Sequence, residues 1–382
     1  MKRSTHVFFW LVPVFLLVNQ YPLRAQQLLD RKATKQTRAL YVNLFHVAQH
    51  GILFGHQDGD AYGVRWQAES GRSDVKEVVG DYPAIHGWDI GLIGKPANLD
   101  GVNFALMREN IINNYARGGI NTISWHLQNP ITGGGSWDTT RAVQAILPGG
   151  THHAQYVAEL DKVADFFSSC TSGNVHVPII FRPFHEHNGS WFWWGKDHCS
   201  EQEYIQLWRF TVNYLKNTRK LHQLIYAFSP DRSRMDLDHA RQSYLYAYPG
   251  DAYVDVIGLD NYMDVGISWN QKSPAQQQHD LITVLRTISQ LANEKMKVAA
   301  FTETGLEGVT NADWFTEVIL KPLKANPDIK LAYFMVWRNA NEKHHYAPYP
   351  GHAAASDFKK FYQDPYTLFE GDLKHIYTQQ KN

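Results

Sequence analysis

The stretch RPFHEHNGSWFWWG, Arg182 to Gly195, sets Glu186 between His185 and His187 and follows them with Trp191, Phe192, Trp193 and Trp194. A carboxyl group beside imidazoles and aromatic rings is equipped for proton transfer, and an exposed aromatic face suits the apolar face of a sugar ring. A second carboxylate, Glu303, stands in TETG, Thr302 to Gly305. Cleaving a glycosidic bond takes two such groups, one to protonate the leaving oxygen and one to attack or to activate water. Each residue also has an ordinary reading: Glu186 as an ion-pair partner of Arg182, Glu303 as a strand-end carboxylate rivalled by Glu307, the aromatic run as packing. The elements that must carry these residues decide between the two.

From residue 52 the chain repeats one theme, a short apolar run ending in polar or aromatic residues and then an amphipathic segment. The runs are Ile52 to Asp58, Ala84 to Asp89, Ile120 to His126, Val175 to Glu186, Leu224 to Asp231, Val254 to Tyr262, Lys297 to Gly305 and Leu331 to Asn339. Near-continuous apolar runs rich in Val and Ile mark strands buried on both faces of a parallel sheet. Helical segments are expected at Phe104 to Arg117, Ala154 to Phe167, Glu201 to Lys216, Gln276 to Asn293 and Asp313 to Leu323. Eight strand-helix units predict an α/β fold, a single (β/α)8 TIM barrel; an open doubly wound sheet is disfavoured because no GxGxxG follows the first strand. Active sites of such barrels sit at the carboxyl ends of the strands. The candidates as a set are therefore Asp58, Asp89, His126, His185, Glu186, Asp231, Asp260, Tyr262, Glu303, Trp337 and Arg338.

The two motifs together resemble those of glycoside hydrolase family 26, the β-mannanases, across essentially the whole chain from FGHQD onward. The resemblance implies retaining hydrolysis of β-1,4-mannosidic linkages, with Glu186 as acid/base and Glu303 as nucleophile. It further implies that His185 and Trp191 shape the surroundings of the acid, that Tyr262 hydrogen-bonds the nucleophile and that His126 contacts the sugar at the cleavage site. Trp337 becomes the stacking floor there, and Arg338 reaches the neighbouring sugar. One departure is His187, where the family pattern calls for methionine or another apolar residue. Mannan, galactomannan or glucomannan is the expected substrate, cut internally or with release of mannobiose. Mixed-linkage β-glucan is the rival sugar, and a binding protein without catalysis the rival class. No metal or organic cofactor is implied.

The bulk properties fit that reading. Residues 1–25 carry Lys2 and Arg3, an apolar run from Val7 to Val18 and a small-residue site at Ala25, which is the pattern of a cleaved signal peptide; the run falls short of the roughly 20 residues that span a bilayer. Removing it leaves 382 − 25 = 357 residues, 26–382, expected as one exported catalytic domain, periplasmic or secreted, without a membrane anchor. The 37 basic and 37 acidic residues become 34 and 37 once Lys2, Arg3 and Arg24 are gone, so no basic field remains to hold nucleic acid. Oligomeric state is not legible. Cys170 and Cys199 lack CxxC spacing and are open to either a disulfide or free thiols. The pairs His152 with His153 and His344 with His345 read as solvated surface, and the sequon Asn188-Gly189-Ser190 as unmodified. At least one ring of Trp191 to Trp194 is expected to be exposed, and Gly133 to Gly135 to belong to a loop over the cleft.

Overall fold

The protein is described by a computed structural model that covers residues 28–378. The signal peptide expected at 1–25 therefore lies outside the described residues. The eight expected strands are present: β1 Ile52–Gln57, β2 Ile85–Asp89, β3 Ile120–Trp125, β4 Ile179–Pro183, β5 Leu224–Phe228, β6 Val256–Asn261, β7 Val298–Thr304 and β8 Tyr333–Val336. They pair in parallel in chain order, and β8 returns to β1 with Leu53 opposite Tyr333 and His56 opposite Val336, which closes the (β/α)8 barrel. A ninth short strand, β9 Thr367–Leu368, pairs with the first two residues of β1, ahead of the stretch that β2 occupies.

Every residue of these eight strands is buried, as the continuous apolar runs require. One face looks outward: Phe54, Trp88, Ile123, Phe181, Ile257, Phe301 and Phe334 join the core shared with the helices. The other fills the barrel with Leu53, Ile85, Ile120, Ile180, Ile225, Val256, Val298 and Met335. Helix α1, Lys35–His50, was not expected, and it packs Leu40, Tyr41 and Leu44 against that interior set. It begins where the Thr34 hydroxyl accepts from the Thr37 N–H at 3.1 Å. Its Tyr41 hydroxyl donates to the Asp255 carbonyl at 3.1 Å, which anchors the helix just ahead of β6.

Of the expected helices, α2 is Phe104–Arg117, α3 is His153–Ser169, α4 is Glu201–Asn213 and α5 is Pro274–Lys295. Reciprocal caps start α4, through Ser200 and Glu203, and α5, through Ser273 and Gln276. Two differences follow from local chemistry. The segment expected as a helix over Asp313 to Leu323 is a π-helix, Trp314–Leu320, passing into a short α-helix at Lys321–Ala325, because Pro322 has no N–H to continue an α ladder. The run from Val175 to Glu186 is not one strand. Val175–His176 folds back on Thr171–Ser172, and Glu186 stands three residues past the end of β4 in a turn.

Cys170 and Cys199 are both free and buried. Their thiols donate to the Phe166 and Trp194 carbonyls respectively, so each is held locally. Among the described residues no helix is long and apolar enough to cross a membrane.

Candidate active site

At the carboxyl end of the barrel the organising residue is Arg182 on β4, only 1% exposed. Its guanidinium donates to Asp260 Oδ2 at 2.5 Å and, through Nη2, to Glu303 Oε2. The ion-pair partner of Arg182 is thus Glu303 and not Glu186. Glu303 takes a further hydrogen bond from the Tyr262 hydroxyl at 2.9 Å, and is held from two sides as an acceptor. Register shifts between Leu259 and Asp260 on β6 and between Phe301 and Thr304 on β7 set Asp260 opposite Glu303. Gly305 lets the chain leave β7 at φ 138°, where a Cβ would come within 2.6 Å of Tyr346.

Glu186 is held differently. Phe184 and Glu186 both have positive φ, 49° and 54°, a conformation that non-glycine residues adopt only when their surroundings impose it. Here the Glu186 N–H donates to the Ser229 carbonyl at 2.8 Å, and the Gly189 N–H donates back to the Glu186 carbonyl at 2.9 Å. Its side chain accepts from Trp191 Nε1 at 2.7 Å. Burial pushes the Glu186 carboxyl well above the usual carboxylate range, reinforced by the negative charges of Asp231, Glu303 and Asp260; the Trp191 donor opposes them. The indole N–H of Trp191 therefore acts against the proton, while burial acts for it.

The histidines supply no opposing cation. Burial and the neighbouring Arg182 and His126 hold His185 well below its ordinary value, and burial takes His187 down to about 4. His187 packs between Tyr204 and Phe228, with ring centroids at 4.4 and 4.7 Å, and bonds the Tyr246 carbonyl at 2.9 Å. A neutral imidazole so enclosed fills the slot in which an apolar side chain was expected. His126, by contrast, is raised: burial lowers it, but Asp89, 2.7 Å from Nδ1, outweighs that.

The aromatic run divides. Phe192, Trp193 and Trp194 are buried packing, and Trp191 alone stays partly open. The exposed ring at this mouth is Trp137, 56% exposed, which stacks on His126 at 5.2 Å and 17°. It sits just after Gly133 to Gly135, and the glycine run was the signal that could have pointed to it. Trp337, at the end of β8, is partly buried. Arg338 pairs with Asp100 at 3.1 Å and meets the Tyr62 hydroxyl at 3.4 Å, while Tyr62 donates to Asp58 at 2.7 Å. His126, His185, Glu186, Trp191, Tyr262 and Glu303 thus share one linked cluster, with Trp337 and Arg338, just past the end of β8, beside it.

One other expectation changes. His345 is buried with its Nε2 3.2 Å from that of His352, so it is built into the fold and is not solvated surface, while His344 stays partly exposed and bonds Glu307 at 2.6 Å. The Glu307 that rivalled Glu303 is occupied there. Asn188 is buried, its amide donating to the Asp231 carbonyl at 2.7 Å, which leaves no free nitrogen for a glycan. Among the described residues no group of three or more His, Cys, Asp or Glu is arranged to hold a metal ion.

The sequence model of glycosyl hydrolase family 26 matches residues 29–372. A mannan endo-1,4-beta-mannosidase of Bifidobacterium adolescentis is 34% identical over 353 residues, 87% of this chain but only 34% of that protein's length. One from Bacillus subtilis strain 168 is 29% identical over 90% of this chain and 87% of its own. Among solved structures, a GH26 beta-mannanase from Bacteroides ovatus superposes with a TM-score of 0.84 at 42% identity, covering 91% of this chain and 99% of that one. A modular endo-beta-1,4-mannanase from Cellulomonas fimi gives 0.84 at 39%, covering 93% and 80%.

Proposed function

Because the chain belongs to glycosyl hydrolase family 26, we propose that it hydrolyses β-1,4-mannosidic linkages of mannan-type polysaccharides by double displacement, with Glu303 as nucleophile and Glu186 as acid/base. The observation that carries this reading is the unequal treatment of the two carboxyl groups. Glu303 is bound by the Arg182 guanidinium and the Tyr262 hydroxyl, which hold both its oxygens as acceptors in a fixed orientation. Glu186 is surrounded by burial and like charge, which favours the protonated acid.

In the first step a Glu303 oxygen bonds to the anomeric carbon as the bond to the leaving oxygen breaks, and the Glu186 proton passes to that oxygen. In the second, water gives a proton to the Glu186 carboxylate and its oxygen to the anomeric carbon, freeing Glu303. Tyr262 at Oε1 and Arg182 at Oε2 fix the orientation of the Glu303 carboxylate for that attack. His126, Trp137 and Trp337 are the groups we assign to the sugar at the point of cleavage, and Arg338 to its neighbour.

The test is Glu303→Ala assayed on linear mannan and, in parallel, on mixed-linkage glucan. Wild type releasing manno-oligosaccharides while the variant loses at least about 10⁴-fold of the rate supports the assignment. Retained hydrolysis overturns it, and cleavage of glucan alone moves the substrate. We also read residues 1–25 as a cleaved leader, so that the enzyme works outside the cytoplasm. Sequencing the amino terminus of the protein recovered from culture checks this, with a start near residue 26 expected.

A further inference from the structure

Resting on the reading of Glu186 as proton donor, we propose that Asp231, in the turn after β5, is a positioning residue whose carboxylate keeps the proton on Glu186 until the leaving oxygen takes it. Nothing in the two-carboxylate mechanism requires a third acidic group at this point. Asp231 is only 7% exposed.

The turn that carries Asp231 is fastened to the turn that carries Glu186. The Asp231 N–H donates to Asn188 Oδ1 at 2.8 Å, and Asn188 Nδ2 donates to the Asp231 carbonyl at 2.7 Å. Asn188 lies two residues after Glu186, and the Glu186 N–H bonds Ser229, two residues before Asp231. Three hydrogen bonds thus hold the two turns at a set separation, and both ends of the Asn188 amide are used up in doing so.

The charges decide which neighbour acts on Glu186. Its acidic neighbours are Asp231, Glu303 and Asp260, and Tyr262 also faces it. Asp260 and Glu303 share the Arg182 guanidinium, which offsets their field. Asp231 lies in no salt bridge among the described residues; Arg234 and Arg232 act on it only from beyond ion-pair distance. Its Oδ1 accepts from the Ser233 N–H at 2.7 Å and from the Ser233 hydroxyl. The adjacent Arg232 is committed to Asp264 at 2.6 Å and Asp280 at 3.3 Å. Arg234 lies over the Trp191 ring at 5.3 Å and makes no ion pair among the described residues. His185 and His187 are neutral. Asp231 is therefore the one of these acidic neighbours that lies in no ion pair, and a nearby like charge disfavours losing a proton. Asp231 itself is pushed up to about 6, chiefly by burial, so it carries its charge above that pH, the range in which the acid needs help to stay protonated.

The experiment compares pH profiles of kcat/KM for wild type, Asp231→Asn and Asp231→Ser. The substrates are mannohexaose and a dinitrophenyl β-mannobioside, whose leaving group departs without a proton. Both variants keep the main-chain half of the clip, and near-UV circular dichroism identifies the folded ones. The expected result is a basic limb about one pH unit lower on mannohexaose, and about tenfold slower hydrolysis above it, with the aryl substrate little affected. A folded variant with an unmoved limb, or equal losses on both substrates, overturns the proposal. Glu186→Gln, run alongside, separates the two readings: if it hydrolyses mannohexaose at the wild-type rate, the assignment of the acid fails; if it is inactive while Asp231→Asn leaves the limb in place, only the role of Asp231 fails.

Discussion

At Glu186 two neighbours pull in opposite senses: Asp231 lies beside it as a charge that favours the acid, and the Trp191 N–H, at 2.7 Å, favours the carboxylate. Removing the indole donor while keeping an aromatic ring should therefore raise the basic limb, the reverse of removing Asp231. Trp191→Phe is expected to move that limb up by about one pH unit. Its rate should fall roughly tenfold, because the carboxyl is no longer oriented. A pH–rate profile of the variant on mannohexaose checks both, and a downward shift would show that Trp191 works by dry packing and not by its hydrogen bond. At this scale the sequence was most legible where a residue's type dictates its chemistry. Tyr262 donates to Glu303 as the likeness to the family led us to expect, and few other side chains could do so. Asp231 went without a role because its effect depends on what it fails to pair with.

At the scale of elements, the end of the chain is tied to the barrel by a buried histidine. His86 on β2 lies between Asp60 at 2.5 Å and Glu370 at 2.9 Å, and Arg117 at the end of α2 binds the same Glu370. Burial disfavours the imidazolium, but Asp60 and Glu370 prevail and raise His86 to about 9 from 6.5. A folded value above the unfolded one gives stability that is whole below pH 6.5 and lost as the pH rises through 9. His86→Gln should thus be less stable than wild type by about 3 kcal/mol at pH 6 and by far less at pH 9.5. Urea titrations of both proteins at the two pH values measure this, and a gap that does not shrink would refute the charged state. Four of the five expected helices were legible from their amphipathic pattern, whereas α1 was not, because its meaning comes from the open barrel end it packs against. The π-helix at Trp314–Leu320 was hidden for the opposite reason, since its pattern is helical and only the place of Pro322 changes the ladder.

For the whole molecule, closure of the barrel by β8 on β1 leaves no edge on either of those strands at the closing seam and gives the chain a mouth where strand ends converge. The two thiols are spectators of that arrangement: burial pushes both Cys170 and Cys199 up to about 12, so neither is reactive near neutral pH. Two thiols should accordingly be alkylated without reductant only after unfolding, and the melting temperature should be the same with and without reductant; a rise of two free thiols that needs reductant would show a bond. Eight buried runs ending in polar residues were enough by themselves to determine the fold class and the mouth, because strand burial and strand-end position are properties of the local pattern; the choice of Glu186 and Glu303 among the strand-end carboxylates came from the likeness of their motifs to the family. Tertiary structure alone decided that Arg182 serves Glu303 and Asp260, that Trp137 and not the Trp193 and Trp194 rings is open at the mouth, and that the turn of Asp231 is clipped to the turn of Glu186. Those facts rest on which side chains meet across strands far apart in the chain, and a charge or a ring acquires its role from what lies within a few ångströms of it in space.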